Sequence, residues 1–174
     1  ATYKAGLFKG KRMIDLSGGM GIDTCFFSKQ FESVIYVERN KELAEITSHN
    51  MALLQQTNIQ FALGYDAMDV IRQLDQTYDL IYIDPARRSG EGGKLVKLQD
   101  CEPDILPLFP ELYHHSEHLL IKTSPLLDIH SAIASLHHVR NVYVIALNNE
   151  CKELLFHLEK TFEGDSLIHA VNLE

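Results

Sequence analysis

One repeating pattern constrains this chain more than anything else: a short apolar run, a turn, then a helical pattern. Residues 13–16, 33–37, 59–63, 80–83, 119–121, 142–147 and 167–171 read as seven strands. Residues 41–54, 66–74, 126–137 and 151–162 read as helices, with Asp66 a candidate N-cap, and a further helix is expected to start near Pro110. In the first of these, Leu43, Ile46, Met51 and Leu54 form the expected apolar face. Apolar strands alternating with helices predict an α/β fold, a mostly parallel sheet with helices on both faces. Such sheets bind ligands beyond the carboxyl ends of their strands, so function is expected just after each strand.

The 174 residues, 45% of them hydrophobic, suffice for one compact domain over 1–174. The net charge of −8 argues against a free-standing basic nucleic-acid binder, while leaving room for a local basic patch. The longest apolar run, residues 142–147, is far too short to span a membrane, and no signal peptide is visible. Cys25, Cys101 and Cys151 form no CxxC pair, which fits a reduced, cytoplasmic protein better than a disulfide framework or a zinc finger. The chain starts at Ala1 rather than at a methionine, so a fragment of a longer protein is expected.

The first strand runs into Asp15-Leu16-Ser17-Gly18-Gly19-Met20-Gly21-Ile22-Asp23. Glycines allow close backbone approach to a ligand, and the helix that follows favours an anionic group. A tight turn without a ligand would use the same residues. The nicotinamide pattern G-x-G-x-x-G is met at Gly19 and Gly21 but has Thr24 in third place. Glu38 ends the second strand, where an acid can accept from both hydroxyls of an adenosine ribose. Asp66, after the third strand, suits either the adenine amino group or helix capping, and one residue can do both.

The fourth strand ends in Asp84-Pro85-Ala86-Arg87-Arg88, the most distinctive string in the chain. Pro85 stiffens the backbone and sets Asp84 at the strand tip. Asp-Pro is also a turn former, but that does not account for the two arginines. Residues 86–97 carry Arg87, Arg88, Lys94 and Lys97 against Glu91, a basic island with three glycines, expected to be a mobile loop.

Taken in order, these motifs resemble class I S-adenosylmethionine-dependent methyltransferases over nearly the whole chain. The resemblance implies a Rossmann-like seven-stranded, mostly parallel sheet closed by an antiparallel hairpin of residues 142–147 with 167–171. It implies S-adenosylmethionine binding at Asp15, Ser17, Gly19, Gly21, Glu38, Arg39, Asp66, Ala67 and Asp84. Asp84 and Pro85 become the catalytic pair, and Arg87, Arg88 and Lys122 the substrate contacts. Within the superfamily the chain is similar to bacterial methyltransferases with a THUMP-like RNA-binding domain, and more distantly to cap trimethylguanosine synthases. Residues 2–5 look like the tail of an upstream cofactor-closing motif. The partner implied is RNA, tRNA or rRNA, gripped through domains outside this chain.

Two departures matter. Ser17 stands where most of the superfamily has glycine, and the Asp84 motif lacks the aromatic that stacks on a flipped base in many amino-methyltransferases. Residues 84–90 also resemble the Asp-Pro-Pro-Arg-x-Gly motif of uracil-5 methyltransferases. Those enzymes need a cysteine nucleophile after the fifth strand, where this chain has Lys122-Thr123-Ser124-Pro125. Transfer to nitrogen needs only positioning of the attacking lone pair, so a base nitrogen is the expected acceptor. Transfer to a small molecule or protein, and a non-catalytic cofactor-binding module, are the alternatives. His114, His115 and His118, with one pair at i, i+4, read as a solvated helix end, as do His130, His137 and His138, and no metal is expected. Tyr36, Tyr78 and Tyr82 read as core or interface residues.

Overall fold

The computed structural model describes residues 1–87, 98, 101–102 and 104–174, with 87, 101 and 102 described through the backbone. The elements are α1 (Thr2–Ala5), β1 (Gly10–Asp15), α2 (Ile22–Phe27), β2 (Phe31–Glu38), α3 (Lys41–Leu53), β3 (Ile59–Leu63), α4 (Ala67–Arg72) and β4 (Leu80–Ile83). They continue with β5 (Ala86–Arg87), β6 (Cys101–Glu102), α5 (Phe109–His115), β7 (His118–Thr123), α6 (Ile129–Leu136), β8 (Val139–Leu147), β9 (Glu150–Glu159) and β10 (Leu167–Leu173). The fold is α/β: β4, β1, β2 and β3 neighbour one another in that order, as do β10, β8, β9 and β7, and β5 pairs with β6. Two compact units make up the chain: Ala1–Tyr82 with His114–Ser116, and Ile83–Tyr113 with Glu117–Glu174. No helix among the described residues is long and apolar enough to cross a membrane.

In the first unit β1 lies between β2 and β4, parallel to both, and β3 adds in parallel outside β2. A strand covered on both faces needs a continuous apolar run, and Met13, Ile14, Leu80 and Ile81 are fully buried. Phe27 of α2 packs edge-on to Phe31 and against Tyr82, at ring separations of 6.4 and 5.0 Å. Asn40 caps α3 by accepting from the Leu43 amide at 3.1 Å. The face that α3 buries is Ala44, Thr47 and Met51; of the row expected from the sequence Met51 is buried and Leu43 half-buried, whereas Ile46 and Leu54 are exposed. α3 approaches the glycine loop closely on this face: a Cβ on Gly21 would lie 2.5 Å from the Thr47 methyl and 2.8 Å from Met51 Cε.

In the second unit β7 and β9 are antiparallel, β9 and β8 form an antiparallel hairpin, and β10 runs parallel to β8. The segment expected as a helix over 151–162 is therefore strand, and the closing hairpin is β8–β9 rather than 142–147 with 167–171. Asn148 and Asn149 both have positive φ, 51° and 65°, the conformation a two-residue hairpin turn requires. The run Leu154, Leu155, Phe156 and Leu158 is buried throughout, as a central strand demands. α6 starts at Ile129, later than expected, because Asp128 caps it by accepting from the Ser131 amide at 2.7 Å. His114 and His115 end α5, whereas His118 opens β7, so the histidine pair at i, i+4 shares no helix face.

Candidate functional site

In the first unit the site is built around the glycine loop. β1 ends at Asp15, and the chain turns through residues 16–21 before α2 begins behind Gly21, whose φ is 72°. Asp15 is 1% exposed. Its carboxylate accepts from the Ser17 amide at 3.0 Å, the Ser17 hydroxyl at 3.3 Å and the Thr24 hydroxyl at 2.6 Å. A buried carboxylate needs such partners, and here they fix the loop to the helix that follows. Ser17 thus supplies a second donor to Asp15 that a glycine would lack.

The two central glycines are needed for different reasons. The Gly18 amide donates to the Val37 carbonyl at 2.9 Å. A Cβ on Gly18 would stand 2.1 Å from the ring of fully buried Tyr36. Gly19 has φ 53°, and the place of its missing Cβ is open, the nearest atom being the Ser17 carbonyl oxygen at 3.8 Å. The Gly19 amide donates to Glu38 Oε2 at 3.0 Å, and the Asn40 amide donates to Glu38 Oε1 at 2.8 Å. The Gly19 carbonyl accepts from the Tyr36 hydroxyl at 2.5 Å and from the Thr47 hydroxyl at 3.1 Å. Burial pushes Tyr36 up to about 12, against the opposing Thr47 hydrogen bond and with further upward pulls from Glu38 and Asp15. It remains a proton donor to the loop.

The sequence reading passed over Tyr36 and Thr47 as site-shaping residues. A tyrosine inside a strand and a threonine inside a helix carry no local mark of the loop they hold. Gly64, at φ 78°, donates its amide to the Glu38 carbonyl at 2.8 Å, so the ends of β2 and β3 join the loop. Asp66 accepts from the Met68 amide at 2.9 Å and caps α4, with Ala67 buried behind it. Arg39 is exposed next to Glu38. On the loop itself Met20 and Ile22 are 70% and 60% exposed, an apolar surface beside the open face of Gly19.

α1 is tied to the same region. Lys4 is 2% exposed, and its ammonium donates to Asp23 Oδ2 at 2.7 Å and to the Tyr82 hydroxyl at 3.2 Å. The Tyr82 hydroxyl donates to the same Asp23 oxygen at 2.7 Å. A buried cation is tolerated because a carboxylate and an aromatic face meet it.

In the second unit Asp84 follows β4 directly, with buried Pro85 behind it. Lys122, near the end of β7, forms an ion pair with Asp84 Oδ2, and both side chains remain partly exposed. The structure therefore brings together a residue expected to be catalytic and one expected to contact substrate. The backbone of Arg87 pairs with that of Cys101 in the β5–β6 ribbon. Arg88 and the rest of the basic island through Lys97 lie outside the described residues.

Residues 2–99 match the family described as conserved hypothetical protein 95. The 23S rRNA (uracil(1939)-C(5))-methyltransferase of Cronobacter sakazakii (strain ATCC BAA-894) is 35% identical over 108 residues, 56% of this chain and 25% of that protein. A Porphyromonas gingivalis W83 protein assigned provisionally to the methyltransferases is 34% identical with a TM-score of 0.82, over 94% of this chain and 40% of that one. An rRNA methylase from Streptococcus thermophilus shares the fold at 15% identity and a TM-score of 0.60, over 90% of each chain. The chain thus spans a quarter of the curated relative's length and two fifths of the Porphyromonas protein's. Since the match covers more than half of its residues, the chain belongs to the conserved hypothetical protein 95 family.

Proposed function

We propose that residues 1–174 are the methyltransferase domain of a longer protein, and that this domain transfers a methyl group from S-adenosylmethionine to a nitrogen of an RNA base. The observation that carries the reading is the bond between the Gly19 amide and Glu38, which sets a strand-end carboxylate against a glycine loop whose outer face is open. The likeness to the rRNA methylase fold and to a Streptococcus mutans structure solved with SAH supports it. So does the 35% identity to an rRNA methyltransferase.

The residues present fit the cofactor. Gly19 leaves the backbone bare for the methionine part, Gly21, packed against Thr47 and Met51, turns the chain beside it, Glu38 offers carboxylate oxygens to the ribose, and Asp66 offers one to the adenine amino group. Asp15 and Ser17 shape the loop, Ala67 gives the base a small neighbour, and Arg39 flanks the ribose carboxylate. Bound S-adenosylmethionine supplies an electrophilic methyl group on a positively charged sulfur. Asp84 accepts a hydrogen bond from the target amine and fixes its lone pair in line for displacement. The Pro85 carbonyl accepts from the second amine hydrogen. Lys122 holds the Asp84 carboxylate in one orientation and is itself a substrate contact. Arg87 and Arg88 contact phosphate, and replacing both with alanine is expected to reduce the salt slope of RNA binding by about one unit per lost contact.

Nitrogen is preferred over carbon although the curated relative's name specifies uracil C5. The residues that follow β7 are Ser124 and Pro125, and no thiol stands there to add to a ring carbon. The similarity to methyltransferases with a THUMP-like domain, and more distantly to cap trimethylguanosine synthases, supports tRNA or rRNA as substrate. The net charge of −8 leaves most of the grip to domains beyond this chain. The test is a screen of the full-length protein with radiolabelled S-adenosylmethionine against total RNA lacking its own modifications. Label in RNA supports the reading. Label only in protein or small molecules, or none, contradicts it.

A further inference from the structure

We infer that His118, His157 and Glu159 form a binding site for a zinc-class divalent cation on the antiparallel pair of β7 and β9. His118 and Glu159 are direct cross-strand partners. His157 lies two residues before Glu159, so all three side chains share one face of the sheet. Their ligand atoms all fall within 4.8 Å of one another. His118 Nδ1 and His157 Nε2 are 3.2 Å apart. Two nitrogens on one tetrahedral zinc, each at about 2.0–2.1 Å, sit about 3.3–3.4 Å apart, so the imidazoles already have nearly the required separation. Two imidazoles and one carboxylate suit zinc and its neighbours, whereas magnesium and calcium take oxygen ligands. A fourth position is left for water.

The surroundings of His157 are those of a metal ligand. It is buried, and its Nδ1 accepts from Asn141 Nδ2 at 3.1 Å. Asn141 Oδ1 in turn accepts from His169 Nε2 at 2.9 Å, and His169 stacks on Tyr143 at 4.8 Å. Such outer partners set the tautomer and orientation of a ligating ring. In the hydrogen-bonded form the His157 proton sits on Nε2 and faces His118. On binding it moves to Nδ1, the Asn141 amide turns over so that Oδ1 accepts it, and His169 shifts its own proton from Nε2 to Nδ1 so that its Nε2 accepts from Asn141 Nδ2. No proton is released overall, and both nitrogen lone pairs point at the metal. Glu159 gives one oxygen to the ion and keeps Arg140, now bonded to Oε2 at 2.7 Å, on the other. Lys122 lies four residues farther along β7, roughly 13 Å away. The ion therefore clasps β7 to β9 and takes no part in chemistry at Asp84.

The test is calorimetric titration of the chelator-treated full chain with zinc chloride, repeated with cobalt(II) to read its visible absorption. The expected result is one ion per chain, with the absorption of tetrahedral cobalt and a raised melting temperature. His118→Asn and Glu159→Gln, both at partly exposed positions, should each weaken binding at least tenfold and abolish the rise in melting temperature, and Asn141→Leu should weaken binding about tenfold. His114→Asn should change nothing. Circular dichroism checks that each variant is folded. No saturable binding at one equivalent would overturn the proposal, leaving a hydrogen-bonded network only. Binding that survives both His118→Asn and Glu159→Gln in folded protein would overturn it equally.

Discussion

The amide of Gly19 donates to the carboxylate of Glu38 at 3.0 Å across nineteen residues of chain, joining the loop after β1 to the tip of β2. The other carboxylate oxygen holds the Asn40 amide, so Glu38 ties the glycine loop to the start of α3. A ribose bound there would bond to a carboxylate already fixed in place, which reduces the ordering cost of binding. Glu38→Ala is expected to weaken S-adenosylmethionine binding about 10- to 100-fold, on the order of 1.5–3 kcal/mol for hydrogen bonds to a charged group. Calorimetry on the full-length protein reads this directly, and unchanged affinity in a folded variant would remove Glu38 from the cofactor site.

Gly18 and Gly19 should respond oppositely to the same change. Alanine at Gly18 drives a methyl into the Tyr36 ring, which has no room to move, and should cost about 1–3 kcal/mol of stability. Alanine at Gly19 meets no atom closer than 3.8 Å and pays only the left-handed backbone penalty, about 1–2 kcal/mol. Its methyl, however, would project into the space assigned to the cofactor. Gly19→Ala should therefore show the larger loss of S-adenosylmethionine affinity and Gly18→Ala the larger loss in urea midpoint. A single ranking in both assays would contradict this division.

Tyr36 gives the glycine loop an alkaline limit. Its folded-state value of about 12 lies above the ordinary 10.0, so the native protein retains the proton more strongly than the unfolded chain. That contribution is complete below pH 10 and is lost as pH rises toward 12. Its full size is about 3 kcal/mol by the linkage relation. Tyr113 is also raised to about 12, and it shares the effect. Urea unfolding at pH 8, 10 and 11.5 should show stability falling across the last interval, and less steeply in Tyr36→Phe. Equal slopes in the two proteins would show that Tyr36 does not carry the effect.

Much of this arrangement could be read from the sequence, and the misreadings have physical causes. Each of β1 to β4 is an apolar run closed by an acid or a glycine, and the ends came out within three residues of the expected ones. β9 was misread because Leu154, Leu155 and Leu158 repeat at helical spacing. Only pairing with β7 and β8 makes a strand of them, and the Asn148-Asn149 turn was the overlooked signal. Asp15 stood out as a site residue, yet its burial and three internal donors make it the organiser of the loop. The ion pair of Lys122 with Asp84 joins residues thirty-eight positions apart, which no local pattern could reveal.

Asp84 and Lys122 should separate turnover from cofactor binding. Asp84→Ala is expected to lower kcat by ~100-fold or more through lost positioning of the target amine, with S-adenosylmethionine affinity nearly intact. Lys122→Met should lower kcat less and raise KM for RNA, since it removes both the partner of Asp84 and a substrate contact. Loss of stability with full activity per folded molecule would instead assign Asp84 to closing a turn.

The most direct measurement is chromatographic identification of the nucleoside that receives radiolabel when full-length protein acts on unmodified RNA, run beside Asp84→Ala. The account predicts a base methylated on nitrogen, with the label nearly absent in the variant. Label in 5-methyluridine, or equal labelling by the two proteins, would contradict it.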